Sequence, residues 1–533
     1  MAALGPRQPV AGQPAPGTPY GRIAILGGSI AGLATALALA RSGRPVEVIE
    51  RDPPPAHPAA DPFLAWPRRG VPQFRLPHGF SARARNLLAE RAPDVLDRLR
   101  ANGVGEINLF KHFIPPELWQ PTDDAFTNIW ARRPVLELAL RMTAEAEPGI
   151  VFHCPAVATG LRFAPTPDGP PRVTGIELAD GRFVEADLVL DCAGQRTPVP
   201  RWLAARGIDV PTDVQDCETV YYSRYYRFRP GCELPRMSVA TLRGEFPLGS
   251  WIGFAGDDDT YAFALECHPG TPGVRELRHV ARWEAAARAI PALAPWIDPG
   301  AGTPLDDVQV MAGNRNLRRH YLRDGRPAVV GLLPVGDALC STNPAYGWGS
   351  AMALTYAFAA ADAVVAHAPD LLALARAYDA TSAAEADAVY REAAAMDRAR
   401  SYRLTGRPVP EHDRAEMDRQ DLIMAAMAGG VLHDVELGRA FNRRVNLVGP
   451  AAVVLGGDDL LDQARRAQAE ATGPAANSPG ATGPAANGSA ANGPTANGAA
   501  TNGPAGNGGR DEIAVEVGAE PAVAAGRDSA RAG

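Results

Sequence analysis

Lysine is almost missing from this chain of 533 residues: of its 53 basic side chains, all but Lys111 are arginine. Acidic residues number 60 and the net charge is -7, so no basic footprint is available to grip a polyanion, and nucleic acid is excluded as a partner. Cysteine is scarce too. Cys154, Cys192, Cys217, Cys232, Cys267 and Cys340 form no C-x-x-C pair and no zinc spacing, which excludes a metal centre on spacing grounds. They are expected to be free thiols in a reducing compartment, the cytoplasm. No stretch strings together the eighteen or so uncharged apolar residues of a spanning helix, so no membrane span is expected. Residues 1–20 lack a basic n-region and a sustained apolar h-region, and are expected to form a loose tail rather than a signal peptide. Residues 471–533 repeat Gly, Pro, Ala and Asn with hardly a large apolar side chain. They bury too little surface to offset chain entropy and are expected to be disordered.

The whole chain has a globular composition, 46% hydrophobic and 21% charged, and what remains between the tails is too long for one hydrophobic core. It opens on GRIAILGGSIAGLATALALARSGRPVEVIERD, Gly21 to Asp52. An apolar strand over Ile23–Leu26, a glycine-rich turn, a helix over Ile30–Ser42 and a strand over Val46–Glu50 make a βαβ unit. The turn departs from G-x-G-x-x-G because Ser29 replaces the second glycine. Gly27 still permits the bend and Gly32 still lets helix pack on strand, while Ser29 is small and can donate to a phosphate oxygen at the helix N-terminus. Gly28, Ile30 and Ala31 complete the loop. Glu50 ends the second strand where a carboxylate can accept the hydroxyls of an adenosine ribose, and Arg51 follows it. These residues are candidates for binding a dinucleotide and do not separate NAD from FAD.

The stretch VVGLLPVGDALCSTNPAYGWGSAMALTYAFAAADAV, beginning at Val329, makes that separation. A strand over Val329–Val335 delivers Gly336 and Asp337 to its carboxyl end, where ligands bind in open α/β sheets and where a carboxylate can accept a ribityl hydroxyl. The loop STNPAYGWG leads into a helix starting near Gly349, whose positive end suits the charge on N1 and O2 of a reduced flavin. Here the chain resembles the FAD-dependent monooxygenase superfamily, whose second flavin motif runs approximately GDAAHxxxPxxGxGxN. Gly336, Asp337, Ala338, Pro344, Gly347 and Gly349 match. Leu339 and Cys340 replace Ala-His, and Ala351 stands where Asn is often found. RRPVLELALR, Arg132 to Arg141, resembles the R-x-x-L helix of that superfamily, with Arg133 at the position that approaches FAD. VPQFRLPHGF is similar to a cofactor-side loop of the flavin epoxidases and nominates Arg75 and His78. ADLVLDCAGQRTPVPRWL resembles the DASGRxS…W variant. Aligned on Gly194, Ala193 stands where aromatic hydroxylases carry an Asp linked to NADPH, Thr197 stands for Ser, and Pro200 beside Arg201 for Arg.

The resemblance implies an α/β fold: a Rossmann-like FAD-binding domain (residues 21–215 and 311–370) interleaved with a mixed-sheet substrate domain (216–310) and followed by a helical C-terminal region (371–470). It implies an oxidoreductase, a monooxygenase of secondary metabolism. Oxygen from O2 would pass through a flavin C4a-hydroperoxide to a hydrophobic small molecule, by hydroxylation or epoxidation. Electrons would come from NAD(P)H or, given Ala193, from an external reductase. Oxygen transfer needs no protein acid, base or nucleophile, and none is nominated. The alternatives are a flavin dehydrogenase or reductase, and a non-catalytic flavoprotein. Halogenation is disfavoured, since W-x-W-x-I-P is missing and Lys111 sits in no recognisable catalytic setting. Tyr221, Tyr222, Tyr225, Tyr226, Phe228, Trp251, Phe254, Tyr261 and Phe263 are expected to divide between a pocket lining and a domain core.

Overall fold

The computed structural model describes residues 21–55, 61–166, 169–235, 242–429, 434–456 and 460–466. The expected terminal tails lie outside the described residues.

Five short parallel strands form the central sheet, in the order Leu332–Pro334, Leu188–Asp191, Ile23–Leu26, Val46–Ile49, Ile150–His153. IAIL and LVLD are buried at every position, as parallel strands covered on both faces must be. Side chains alternate between two cores. Ile23, Ile25, Leu188 and Leu190 pack against the helices Ile30–Arg41, Arg133–Ala146 and Gly349–His367. Ala24, Leu26 and Val189 pack against the antiparallel strands Ala158–Ala164, Arg172–Leu178 and Phe183–Glu185. Because the strands are parallel, all their carboxyl ends meet one edge of the sheet.

The helix Gly349–His367 is long and apolar enough to cross a membrane, but 67% of its most apolar window is buried inside the protein. It is a core helix that crosses the Ile30–Arg41 helix. The strand expected over Val329–Val335 pairs with its neighbour only over Leu332–Pro334. Gly331, at φ +74°, turns the chain where a Cβ would stand 2.8 Å from the Val173 carbonyl oxygen, and Val330 instead bridges to Arg172.

A second, antiparallel sheet runs in the order Arg243–Phe246, Gly249–Ala255, Thr260–Cys267, Val220–Phe228, Gly302–Pro304, with Gln309–Ala312 also paired to Val220–Phe228. Of the nine aromatic residues, Tyr222, Tyr226, Phe228, Trp251, Tyr261 and Phe263 share the outer core with Trp283 of the helix Val280–Arg288. Tyr221, Tyr225 and Phe254 occupy the opposite, inner face. The 35-residue helix Leu371–Thr405 starts on Asp370, whose carboxylate caps the main-chain N–H groups of Leu372 and Ala373, and ends at Gly406 in the left-handed conformation. Helices Val435–Val445 and Ala451–Gly456 follow.

Candidate functional site

Gly27 leaves the central strand at φ +105°, and a Cβ there would lie 2.6 Å from the Cys192 carbonyl oxygen. At Gly32 a Cβ would lie 1.9 Å from the Gly27 carbonyl oxygen, so the helix rests directly on the turn. Ile30 begins that helix and is buried. Across the sheet edge, Gly336 at φ +66° brings its Cα against the methyl of Ala31, where a Cβ would come within 2.9 Å. The two glycine-rich segments, far apart in the chain, thus touch. Arg319 ties a third loop to them by donating to the main-chain oxygens of Ala338 (2.8 Å) and Gln195 (2.7 Å).

Glu50 stands on the neighbouring strand end, with its carboxylate partly engaged. Oε2 accepts from Gly28 N at 2.8 Å and from Arg68 Nη2 at 3.2 Å, and Oε1 accepts from Asp52 N at 2.8 Å. A carboxylate has about four lone-pair sites, so Glu50 keeps only part of its capacity for ribose hydroxyls. Ser29, expected to donate to phosphate, instead donates to Glu137 Oε1 at 2.8 Å. The reason is that Arg133 fixes Glu137 one helical turn away (Nε to Oε1, 2.7 Å) and also donates to Ser29 Oγ at 3.1 Å. The second oxygen of Glu137 is buried with no hydrogen-bond partner.

Arg133 also donates to His78 Nε2 at 3.3 Å, while His78 Nδ1 donates to the Leu76 carbonyl at 2.8 Å. Burial first, and the Arg133 charge second, push the His78 imidazole down to about 3, so it is neutral at physiological pH. Arg75, nominated with His78, lies apart from this cluster over the Phe63 ring. Arg51 is exposed beside Gly70.

Asp337 is enclosed by the second loop. Burial raises its pKa against the pull of Arg133 and Arg319, and its carboxylate accepts no hydrogen bond among the described residues. It is therefore a free acceptor at the carboxyl edge. Pro344 opens a short turn that Gly347 closes at φ +67°, and Gly349 begins the core helix. Asn343 holds that turn in place. It receives a hydrogen bond from Tyr221 of the antiparallel sheet at 2.6 Å and donates one to Asp397 of the long helix at 2.8 Å.

Sequence reasoning missed Arg68, Asp52 and Glu137. Arg68 is buried, donates to the Gly28 carbonyl at 3.2 Å, and lies 3.5 Å from Asp52 and 3.6 Å from Glu137. Only Glu137 had a local signal, its i,i+4 spacing from Arg133. In the third loop, Asp191 accepts from Thr197 Oγ at 2.8 Å and Ala193 N at 3.1 Å, which closes the loop on itself. Burial pushes the Asp191 carboxyl up to about 6.

The main-chain glycine cradle, the partly free Glu50 and the unpartnered Asp337 all fit FAD. The described residues contain no cluster of His, Cys, Asp and Glu able to hold a metal ion.

The architecture is one shared by flavin-dependent halogenases and FAD-dependent monooxygenases. The flavin-dependent halogenase CmlS superposes with a TM-score of 0.54 at 19% identity, over 77% of this chain and 73% of that one. The flavin-dependent brominase Bmp2 gives 0.54 at 17%, over 84% and 98%. PqsL of Pseudomonas aeruginosa, assigned to the FAD-dependent monooxygenases, gives 0.51 at 16%, over 72% and 98%. In sequence, Protein Rv3254 of Mycobacterium tuberculosis is 28% identical over 368 residues, 63% of this chain and 71% of that protein. No family model matches.

Proposed function

We propose that the chain is an FAD-dependent monooxygenase that inserts one oxygen atom into a hydrophobic small molecule. The observation that carries this reading is the meeting of the Gly27–Gly32 turn and the Gly336–Asp337 loop at one edge of the parallel sheet, beneath the inner face of the antiparallel sheet. Gly27, Gly28, Ser29, Ile30, Ala31 and Gly32 would present main-chain N–H groups to the pyrophosphate. Glu50 would take the adenosine ribose. Arg68 and Arg133 would supply positive charge, and Asp337 would take the ribityl chain. Gly347, Gly349 and Pro344 would shape the turn beside the flavin ring. When bound, FAD supplies the chemistry of O2 activation. The protein's part would be to orient substrate under the inner face of the antiparallel sheet and to exclude water.

Halogenation is the activity of two of the structural neighbours. Lys111 counts against it here, because its ammonium is held in a surface ion pair with Asp124 at 2.7 Å, away from the glycine loops. Two measurements test the reading together. Heat-denatured protein should release FAD, and turnover with a reductase and O2 should yield a product heavier by one oxygen atom. Protein without FAD, or a chlorinated or dehydrogenated product, would overturn it.

A further inference from the structure

Pro344 and Ala345 are exposed, and Gly347 closes their turn in a left-handed conformation, so the turn has little packing of its own to hold its shape. It is held from behind by Asp397 of the long helix Leu371–Thr405, whose side chain is buried. Oδ1 of Asp397 accepts from the side-chain amide of Asn343 at 2.8 Å and from the hydroxyl of Tyr346, the residues on either side of Pro344 and Ala345. One oxygen thus clamps both ends of the turn. Oδ2 accepts at 2.7 Å from Asn316 of the strand Arg315–Arg319, and the side-chain oxygen of Asn316 in turn accepts from Asn343 N at 2.8 Å.

The clamp reaches the antiparallel sheet as well. Asn343 Oδ1 accepts from the Tyr221 hydroxyl at 2.6 Å and from Ala345 N at 3.1 Å. Arg400, three residues beyond Asp397 on the same helix, donates to Asp397 Oδ1 and pairs with Glu266 at 3.0 Å. Asn316, Asn343 and Asp397 are all buried, and both ends of each polar group are engaged. A satisfied network of this kind is rigid, and its weakest point is the shared acceptor, because removing that leaves several buried donors unpaired at once. Arg400 would keep Glu266, but Asn343, Asn316 and Tyr346 would lose the carboxylate on which they converge.

The same helix carries a second buried carboxylate with different partners. Glu392 accepts from Gln420 at 2.8 Å, pairs with Arg419 at 3.0 Å, and pairs with Arg444. Those partners lie on the helices Arg414–Gly429 and Val435–Val445, so Glu392 ties the C-terminal helices to one another and serves as an internal control for Asp397.

We infer that Asp397 is a positioning residue for the flavin: by fixing Asn343 and Tyr346 it sets how the turn over residues 344–349, and the helix N-terminus behind it, meet the flavin ring. The C-terminal helical region then completes a cofactor site whose other parts come from far earlier in the chain. This assignment rests on the reading that FAD occupies the sheet edge where the two glycine-rich segments meet.

Titration of the stripped full-length protein with FAD tests it without turnover, with fluorescence giving affinity and visible circular dichroism reporting the surroundings of the bound ring. Asp397→Asn keeps the shape and removes the anionic acceptor. It should weaken FAD about tenfold, the factor a hydrogen bond to a charged group supplies, and change the flavin dichroism. Glu392→Gln should lower the melting temperature and leave both flavin readouts at wild-type values. Tyr221→Phe, which removes only the hydroxyl on Asn343, should weaken FAD about threefold and shift the dichroism in the same sense; it decides the matter if Asp397→Asn does not fold. Folded Asp397→Asn with wild-type affinity and dichroism, flavin readouts in Glu392→Gln that change as much as in Asp397→Asn, or Tyr221→Phe without effect would each overturn the assignment. Wild type that takes up no FAD would overturn the flavin reading itself, and the assignment with it.

Discussion

Gly336 lies so close to Ala31 that a single methyl group on it would come within 2.9 Å of the Ala31 Cβ, although 305 positions separate them in the chain. Two loops that each resemble half of a flavin cradle are thereby locked at backbone distance. The contact depends on the left-handed conformation of Gly336 as well as on its missing side chain.

Gly336→Ala should therefore destabilise the fold by about 1–2 kcal/mol from the left-handed strain alone, before the clash with Ala31 is added. It should also weaken FAD retention. Ala31→Gly in the same chain should recover the clash component and leave the strain. Thermal unfolding of the two variants measures both parts, and an unchanged melting temperature in the single variant would contradict the contact.

Glu50→Gln keeps the shape of the side chain and removes its charge. It should lower FAD affinity by about 1.5–3 kcal/mol, because Gly28 N, Arg68 and the ribose all lose an anionic acceptor. Fluorescence titration of the stripped protein with FAD is the measurement.

His78 and Asp306 should move stability with pH in opposite directions. The folded pKa of His78, about 3, lies below its unfolded value. The unfolded chain binds the proton first on acidification, so the stability that neutral His78 contributes is complete above about pH 6.5 and falls as pH drops toward 3. His78→Gln should remove that dependence, on the order of 1–3 kcal/mol between pH 7 and pH 4. Chemical denaturation at the two pH values compares the slopes.

Asp306 is raised to about 7 by burial, and its Oδ2 has no hydrogen-bond partner. Here the folded chain binds the proton first, so stability is greatest below about pH 4 and is lost as pH rises through 7. Asp306→Asn keeps the acceptor for Tyr225 N, and should stabilise the protein by about 1–2 kcal/mol at pH 8 while changing little at pH 4. Equal effects at both pH values would show that the carboxyl is not buried as described.

The electron donor is open to a direct test. Ala193 offers no carboxylate, and Asp191 is turned inward onto Thr197 and Ala193 N. Reduction by NADPH alone should be slow, and addition of a flavin or ferredoxin reductase should raise turnover. Stopped-flow absorbance distinguishes the cases, and rapid saturable reduction by NADPH would refute this reading of the loop.

The short-range features were legible in the chain. A continuous apolar run marked the Ile23–Leu26 strand, the glycine-rich turn marked the start of the helix after it, and a helical region was expected from residue 371, where the long helix begins. These are decided by neighbours within a few residues, through side-chain character and main-chain conformational preference. Gly331 shows the limit of that signal. Nothing local told that a glycine inside VVGLLPV would turn left-handed, because the space that only glycine fits there is set by the Val173 carbonyl of another sheet.

Tertiary structure alone decided the partners of charge. Arg68 among Glu50, Asp52 and Glu137, and Ser29 donating to Glu137, are pairings over 16 to 108 positions, and arginine and glutamate carry no mark of their eventual partner. It also decided which aromatics form the outer core and which face inward, since alternation names two faces but only docking on the cofactor edge says which is which.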